Sequence, residues 1–375
     1  MKRAVLIGAG HAHLYAAKRA REFTRRGFEL VVIAPDAFWY SGLATGVLGG
    51  TYPLVMDRID VRELLGGDGR FIEDEIVGLD ICRRTLTLGR TPSMSFDALS
   101  LDLGSEAPPI HGAGHDCYAV KPIPRLNDLR CELERRFAAD PHRRVRVAIA
   151  GGGITAFEIA ANVAQLAKHH VAQTEIIVYV GSAEPLKQLP RPAATAVVRD
   201  LTSRGVVVCL QQRADRIEDH VLFLEDGSSA AFHLFVNAIG LRPAPAMRSL
   251  GLPVDQDGAL IVDGHLMSIG AAGIFGGGDC VAFMGLALPR VGVYAIRQGP
   301  ILYDNLLATL AGTALRRFQP QKRYLAIMTL GEDRGLAVRG SFWWHGRAAF
   351  WLKDWIDRRF LREYQPPNGR GGQRL

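Results

Sequence analysis

The chain has little cysteine: Cys82, Cys117, Cys131, Cys209 and Cys280 in 375 residues, with no C-x-x-C or C-x4-C pair among them. An odd number at wide, irregular spacing excludes a disulfide framework and the usual cysteine zinc sites. No run of about 18 apolar residues occurs, so no spanning helix is expected. The basic start Met1-Lys2-Arg3 leads into only four apolar residues, Ala4 to Ile7. A secretory signal needs about 7–15 there. The expected setting is therefore reduced, unexported and cytoplasmic.

Net charge is small over most of the chain as well. Of the net +7, the stretch from Arg339 to Leu375 holds +5, and four of the five tryptophans, Trp343, Trp344, Trp351 and Trp355, lie in the same stretch. The nearly neutral body excludes a broad nucleic-acid-binding surface. What the sequence does have is glycine, 41 residues (about 11%, against about 7% in average usage), and 48% hydrophobic residues. Without a G-X-Y period, that much glycine means tight turns and places where the backbone meets a ligand.

Two segments share one form. Ala4 to Ile7 leads into Gly8-Ala9-Gly10 and a helix-like stretch from Leu14 to Ala20; Val145 to Ile149 leads into Gly151-Gly152-Gly153 and a stretch from Phe157 to Leu166. Each is followed by another buried-strand pattern, Glu29 to Ile33 and Glu175 to Val180. These are two βαβ openings, and they predict parallel sheets covered on both faces. Between Asp215 and Gly240, Val221 to Leu224 and Leu234 to Val236 read as hairpin strands of a smaller antiparallel sheet.

A Gly turn after a strand places backbone N–H groups where a pyrophosphate can bind. The first copy, Gly8-x-Gly10, has His13 at the sixth position, and its expected ribose acid is replaced by Ala34, with Asp36 two residues on. The second copy, Gly151-x-Gly153-Ile154-x-Ala156, fits G-x-G-x-x-G/A and carries Glu158. Its strand-end position is Gly181, so no carboxylate marks NADH; Lys187 and Arg191 are within reach of a 2′-phosphate. Donor preference stays open. His11 and His13 flank the first turn and are read as packing or phosphate contacts, Lys121 as a charge near the cleft or a solvated linker residue, and Cys280 as a small buried hydrophobe.

Further on, Gly273-Ile274-Phe275-Gly276-Gly277-Gly278-Asp279 is an apolar strand ending in Gly-Asp, and Asn237 to Pro243 contains Gly240 in a crossover pattern. Two Gly-rich βαβ starts followed by this strand resemble the two-dinucleotide-domain flavoproteins of the pyridine nucleotide-disulfide oxidoreductase superfamily. Tyr40-Ser41-Gly42, Leu99 to Ser105 including Gly104, Arg290 to Pro300, and Lys353 to Arg359 are similar to the type II NADH dehydrogenase-like branch. That branch includes the oxidoreductase modules fused to selenide water dikinase. The resemblance implies two Rossmann-like domains binding FAD and NAD(P)H, with small antiparallel sheets and a short C-terminal module. Expected boundaries are 1–118 with 258–319 for the FAD domain, 119–257 for the NAD(P)H domain and 320–375 for the module. It also implies that Gly8, Ala9, Gly10 and Gly104 hold FAD, Gly278 and Asp279 meet its ribitol, Ser41 and Gly42 lie near the flavin, and a helix starting at Val291-Gly292 aims at the ring.

In the tail, Trp344, Ala348, Trp351, Leu352, Trp355 and Ile356 follow helical 3–4 spacing. Such a face suits a lipid boundary, the protein's own body, or a homodimer contact; residues 341–364 are the candidate segment, on the inner face of the cell membrane. Residues 366–375 read as disordered. The expected activity is FAD-dependent transfer of electrons from NAD(P)H, placed by Gly151, Gly153 and Glu158, to a quinone, with Glu158 as the catalytic candidate and no metal. The alternatives are reduction of a selenium or sulfur species, a sulfide:quinone oxidoreductase-like reaction, and a flavin-binding sensor or scaffold without turnover.

Overall fold

Strands made of consecutive buried aliphatic residues must be covered on both faces, and a Gly turn into an Ala-rich helix returns the chain for a parallel neighbour. The computed structural model, which describes residues 1–365, contains two such five-stranded parallel sheets. The first runs Ile274–Gly276, Ala98–Leu101, Lys2–Ile7, Phe28–Ala34, Arg70–Glu73. The second runs Cys117–Ala119, Leu234–Asn237, Val145–Ala150, Thr174–Val180, Val207–Leu210. In each, the central strand feeds the Gly turn, which places that turn at the carboxyl edge where open α/β sheets bind ligands. The following helices are His11–Ala17, broken before Ala20–Arg25, and the longer Ile154–His169, whose Ala156, Phe157, Ile159 and Ala160 are buried against the second sheet.

Each parallel sheet has a three-stranded antiparallel companion, Ile76–Asp80 with Thr85–Leu88 and Met94–Ser95, and Ala214–Glu218 with Val221–Leu224 and Ser229–Ala231. Leu234 to Val236 is not part of the latter, as its hairpin reading implied. All four residues of Leu234–Asn237 are buried, and that suits an inner strand of the parallel sheet.

The exchange between domains departs from the expected boundaries. Cys117–Ala119 already pairs with the second sheet, while Met247, Leu250 and Leu252 pack into the core under the first. The crossings lie earlier, where Ser105–Glu106 and Arg242–Pro243 pair antiparallel and the Asn237 amide donates to the Pro108 carbonyl at 2.7 Å. We propose the crossovers at about these two strands as the domain limits.

The C-terminal module begins with the antiparallel strands Ala326–Thr329, Gly335–Arg339 and Phe342–Gly346, whose Met328, Leu336 and Val338, with Leu330 just after the first strand, join the second domain's core. The helix Arg347–Tyr364 then crosses to the first domain, where Leu361 and Tyr364 join its core. Trp344 therefore sits on a strand and not on the expected helical stripe. The buried face of the helix is Ala349, Phe350, Lys353, Asp357, Leu361 and Tyr364, spaced by turns of 3–4 residues. Trp351 (62% exposed), Trp355 (53%) and Ile356 (37%) face outward, so those three do not pack on the body. The segment 366–375, expected to be disordered, lies outside the described residues. Among the described residues no helix is long and apolar enough to cross a membrane.

Candidate active site

The site starts at the first Gly turn. Gly8 has φ +91°, and a Cβ there would lie 2.1 Å from the Asp102 carbonyl oxygen; one on Gly10 would lie 2.1 Å from Asp102 Oδ2. Only glycine lets the turn approach the backbone and carboxylate of Asp102 this closely. The turn opens onto a cavity of about 670 Å³, a volume within the range of about 300–1,000 Å³ usual for small-molecule sites. Its walls are the turn 8–11, the strand end 34–39, the loop 102–106, Gly278 and Asp279, the linker 120–124, and Thr155 and Glu158 from the second domain's helix.

The electrostatics centre on Asp279. Its Oδ2 accepts from Lys121 Nζ at 2.5 Å and from the Ser105 hydroxyl at 2.7 Å. Burial alone would raise this carboxyl; the Lys121 ammonium and the two hydrogen bonds outweigh it and hold the pKa below its ordinary value. The Lys121 charge therefore belongs to the cleft. Asp102, beneath the turn, accepts from the Ala12 N–H at 2.9 Å, and burial pushes its carboxyl up to about 7 against that bond. His11 is lowered to about 4, chiefly by burial and then by Lys121, so its ring is neutral near pH 7.

From the second domain, Glu158 Oε1 accepts the Thr329 N–H at 2.8 Å, and burial raises its pKa although nearby Lys353 opposes the shift. Thr329 belongs to the terminal module, and its hydroxyl lies 3.1 Å from that of Thr45 on the cavity wall. The module is fastened beside it by a buried polar cluster. Lys353 Nζ donates to the Gly42 carbonyl and to Asp357 Oδ2 at 2.6 Å, and the Tyr40 hydroxyl donates to Asp357 Oδ1 at 2.7 Å. Tyr40 stacks on Phe360 at 4.4 Å between centroids.

Of the residues singled out in the sequence, Gly8, Ala9, Gly10, His11, Ser41, Gly104, Gly278, Asp279, Gly292 and Glu158 line the cavity. Gly292 opens the helix Gly292–Ala311, with Val291 as its cap. Val291, Gly42, Gly151, Gly153, Ile154, Gly240 and His13 do not line it. Gly42 contributes its carbonyl to Lys353 instead. Gly151, Gly153 and Ile154 form the second Gly turn, separate from the first, and Ile154 packs against the second core. His13 is not a phosphate contact: one step further round the helix than Ala12, it points at the sheet. Its Nδ1 lies 2.7 Å from the Gly8 carbonyl, which requires it to donate, so Nε2 accepts from the Ser100 hydroxyl at 2.8 Å. Asp102 and Thr155 had no role assigned from the sequence. Asp102 stands two residues before Gly104, and an acid inside an apolar strand end was the available signal.

The sequence profile of the pyridine nucleotide-disulphide oxidoreductases matches residues 2–299. The chain belongs to this family. A relative with a curated name is the demethylphylloquinone reductase NdbB of Synechocystis, 25% identical over 366 residues, 90% of this chain and 88% of that one. Another is ferroptosis suppressor protein 1 of Xenopus tropicalis, 23% identical over 354 residues, 89% and 87% of the two chains. Among solved structures, NDH2 of Plasmodium falciparum in complex with NADH superposes with a TM-score of 0.83 at 13% identity, over 97% and 95% of the two chains. That likeness establishes the two-domain fold. The disulphide in this oxidoreductase family's name has no counterpart in the cavity, because none of the five cysteines lines it. Cys280 is buried, its thiol donating to the Gly277 carbonyl at 3.2 Å, and burial pushes its pKa up.

Proposed function

We propose that the protein oxidises NAD(P)H and reduces a quinone, with FAD as its resident cofactor. The observation that carries this is a single cavity joining the first Gly turn and Asp279 to Glu158 of the second domain, with no thiol between. The residues present fit FAD: a glycine turn with no room for Cβ atoms, an acid at Asp279 held ionised, and the start of the helix Gly292–Ala311 facing the same space. Gly8, Gly10, Gly104 and Asp279 would hold it. When bound, FAD supplies the two-electron carrier between donor and acceptor.

The protein's own residues handle position and protons. Reduction of a quinone by NAD(P)H consumes one proton from outside the donor, since the hydride brings one hydrogen and the quinol carries two. Glu158 holds a proton to higher pH than an ordinary glutamate, because ionising it in a buried place is costly. Because it also lines the cavity, we propose it as the source of that proton. Lys353 and Asp357 fix the terminal helix to Gly42 and Tyr40, next to Ser41 of the cavity wall. The relatives' names support the acceptor class: they are a demethylphylloquinone reductase and, over 52% of this chain, the type II NADH:quinone oxidoreductase of Haemophilus influenzae.

A membrane surface is the proposed location. Phe342, Trp351, Trp355 and Ile356 are exposed on the terminal module, with Arg358 and Arg359 beside them, and tryptophan with basic residues suits the interface. The test is anaerobic mixing of the purified flavoprotein with NADH or NADPH, followed by a soluble quinone. Bleaching of the flavin band near ~450 nm and rapid return on adding quinone are expected. No bleaching with either donor refutes the reductase reading, and slow return with quinone refutes the acceptor.

A further inference from the structure

The edge of the second sheet points to a donor preference, an inference that rests on the nicotinamide reading above. In a Gly-rich βαβ unit the end of the second strand lies beside the adenosine ribose. A carboxylate there pairs with the 2′-hydroxyl, whereas an arginine there accommodates a 2′-phosphate. In this chain the strand Thr174–Val180 ends in Gly181-Ser182-Ala183, without an acid. The first acid beyond, Glu184, is turned to Arg191, with 2.8 Å between Oε1 and Nη2.

The place of the missing carboxylate is taken from the neighbouring strand. Val207–Leu210 runs parallel, with Leu210 opposite Val180, so its following turn arrives at the same edge. The Gln212 N–H donates to the Val180 carbonyl at 3.0 Å and the Gln211 N–H to the Ser182 carbonyl at 3.2 Å, which fastens that turn to the strand end. Arg213 is thereby laid across Gly181. A Cβ added to Gly181 would lie 3.2 Å from Arg213 Cβ and 3.3 Å from its Nε. The guanidinium stem thus passes where an acidic side chain would begin. Its ion pair in the structure is with Glu225 at 3.5 Å, both side chains about 60% exposed (61% and 59%). Such a solvated pair contributes little, whereas a phosphate monoester offers a bidentate, charge-assisted contact.

We propose that Arg213 receives the 2′-phosphate of NADPH, with Gly181 leaving room for it and Ser182 at its side, so that the protein prefers NADPH to NADH. Lys187, exposed on the segment that folds back through the Leu186 N–H to the Gly152 carbonyl at 2.7 Å, adds a second positive charge near the same turn. Glu184 and Glu225 are the opposing charges, each already facing an arginine.

Isothermal titration of the as-purified flavoprotein with NADP⁺, NAD⁺ and 2′,5′-ADP tests this without turnover. NADP⁺ is expected to bind about tenfold or more tighter than NAD⁺, the scale of one hydrogen bond to a charged group, and 2′,5′-ADP to compete with it. Because Arg213 is exposed, the gap should narrow as salt rises. Arg213→Gln should remove most of the gap while leaving NAD⁺ affinity within about twofold, the charge-assisted contact being the only one lost. Adding Gly181→Glu to that variant should reverse the preference. Equal binding of the two nucleotides, or an Arg213→Gln variant that weakens both alike, overturns the inference and leaves the donor assignment standing. Binding of neither overturns both. Circular dichroism of the variants checks that the exposed substitution leaves the fold intact.

Discussion

Asp102→Asn should stabilise the protein at alkaline pH and do nothing for it at acid pH. The carboxyl lies under the first Gly turn, 5% exposed, accepting one N–H from Ala12 and facing the charge of Asp279. Burial raises it from 3.8 to about 7. A carboxyl whose folded pKa is raised keeps its proton in the folded state while the unfolded chain loses it, so stability falls as pH climbs through that window and levels off above it. At about 1.4 kcal/mol per pH unit, the span from 3.8 to about 7 amounts to roughly 4 kcal/mol at pH 8. An asparagine fits the same space, keeps an oxygen for the Ala12 N–H and cannot ionise. The assay is thermal unfolding of both proteins from pH 4.5 to 8.5, read as the difference in Tm. That difference should be near zero at the acid end and grow to several degrees in favour of the variant at the alkaline end, about 2–4 °C per kcal/mol being usual for smaller domains. A difference independent of pH, or a variant less stable at pH 8, would show that Asp102 is ionised and held by the helix start, and the argument from burial would fall.

Gly10→Ala should lose flavin, because its Cβ would stand 2.1 Å from Asp102 Oδ2; the ratio of visible to protein absorbance after purification reads this, and full flavin content would contradict it. Asp357→Asn leaves the Lys353 ammonium, 10% exposed, without its countercharge, at a cost of about 3–5 kcal/mol; a Tm equal to that of the parent would show the pair to be unimportant. Glu158→Gln should cut quinone turnover by about 10²–10⁴, the range for a positioned proton donor, with flavin content unchanged; undiminished turnover would place the proton elsewhere. Replacing Trp351 and Trp355 by Ser should abolish sedimentation with anionic liposomes while leaving the Tm unaltered, because both rings are exposed. A lower Tm with binding retained would point instead to packing.

Both dinucleotide turns and their central strands could be read from residue order alone, whereas the helix opening at Gly292 followed from the family resemblance. A strand, a Gly turn and a helix are local events, set by side-chain burial and by which residues tolerate the backbone. The cavity's lining from Gly8 to His11 and at Asp279 was legible for the same reason. The terminal helix was not. Apolar spacing marked the Trp face, yet the buried face carries Lys353 and Asp357, and only partners 311 and 317 residues away, Gly42 and Tyr40, make that burial tolerable. The same limit hid Asp102, whose acid meets Gly10 and Ala12 across the sheet edge, and Arg213, which reaches Gly181 only because two strands run side by side in register. Sequence by itself determined where the backbone can bind a dinucleotide, because that depends on neighbours in the chain. Which charges face that backbone was decided by tertiary structure alone, since Coulomb interactions and desolvation depend on distance and burial in space.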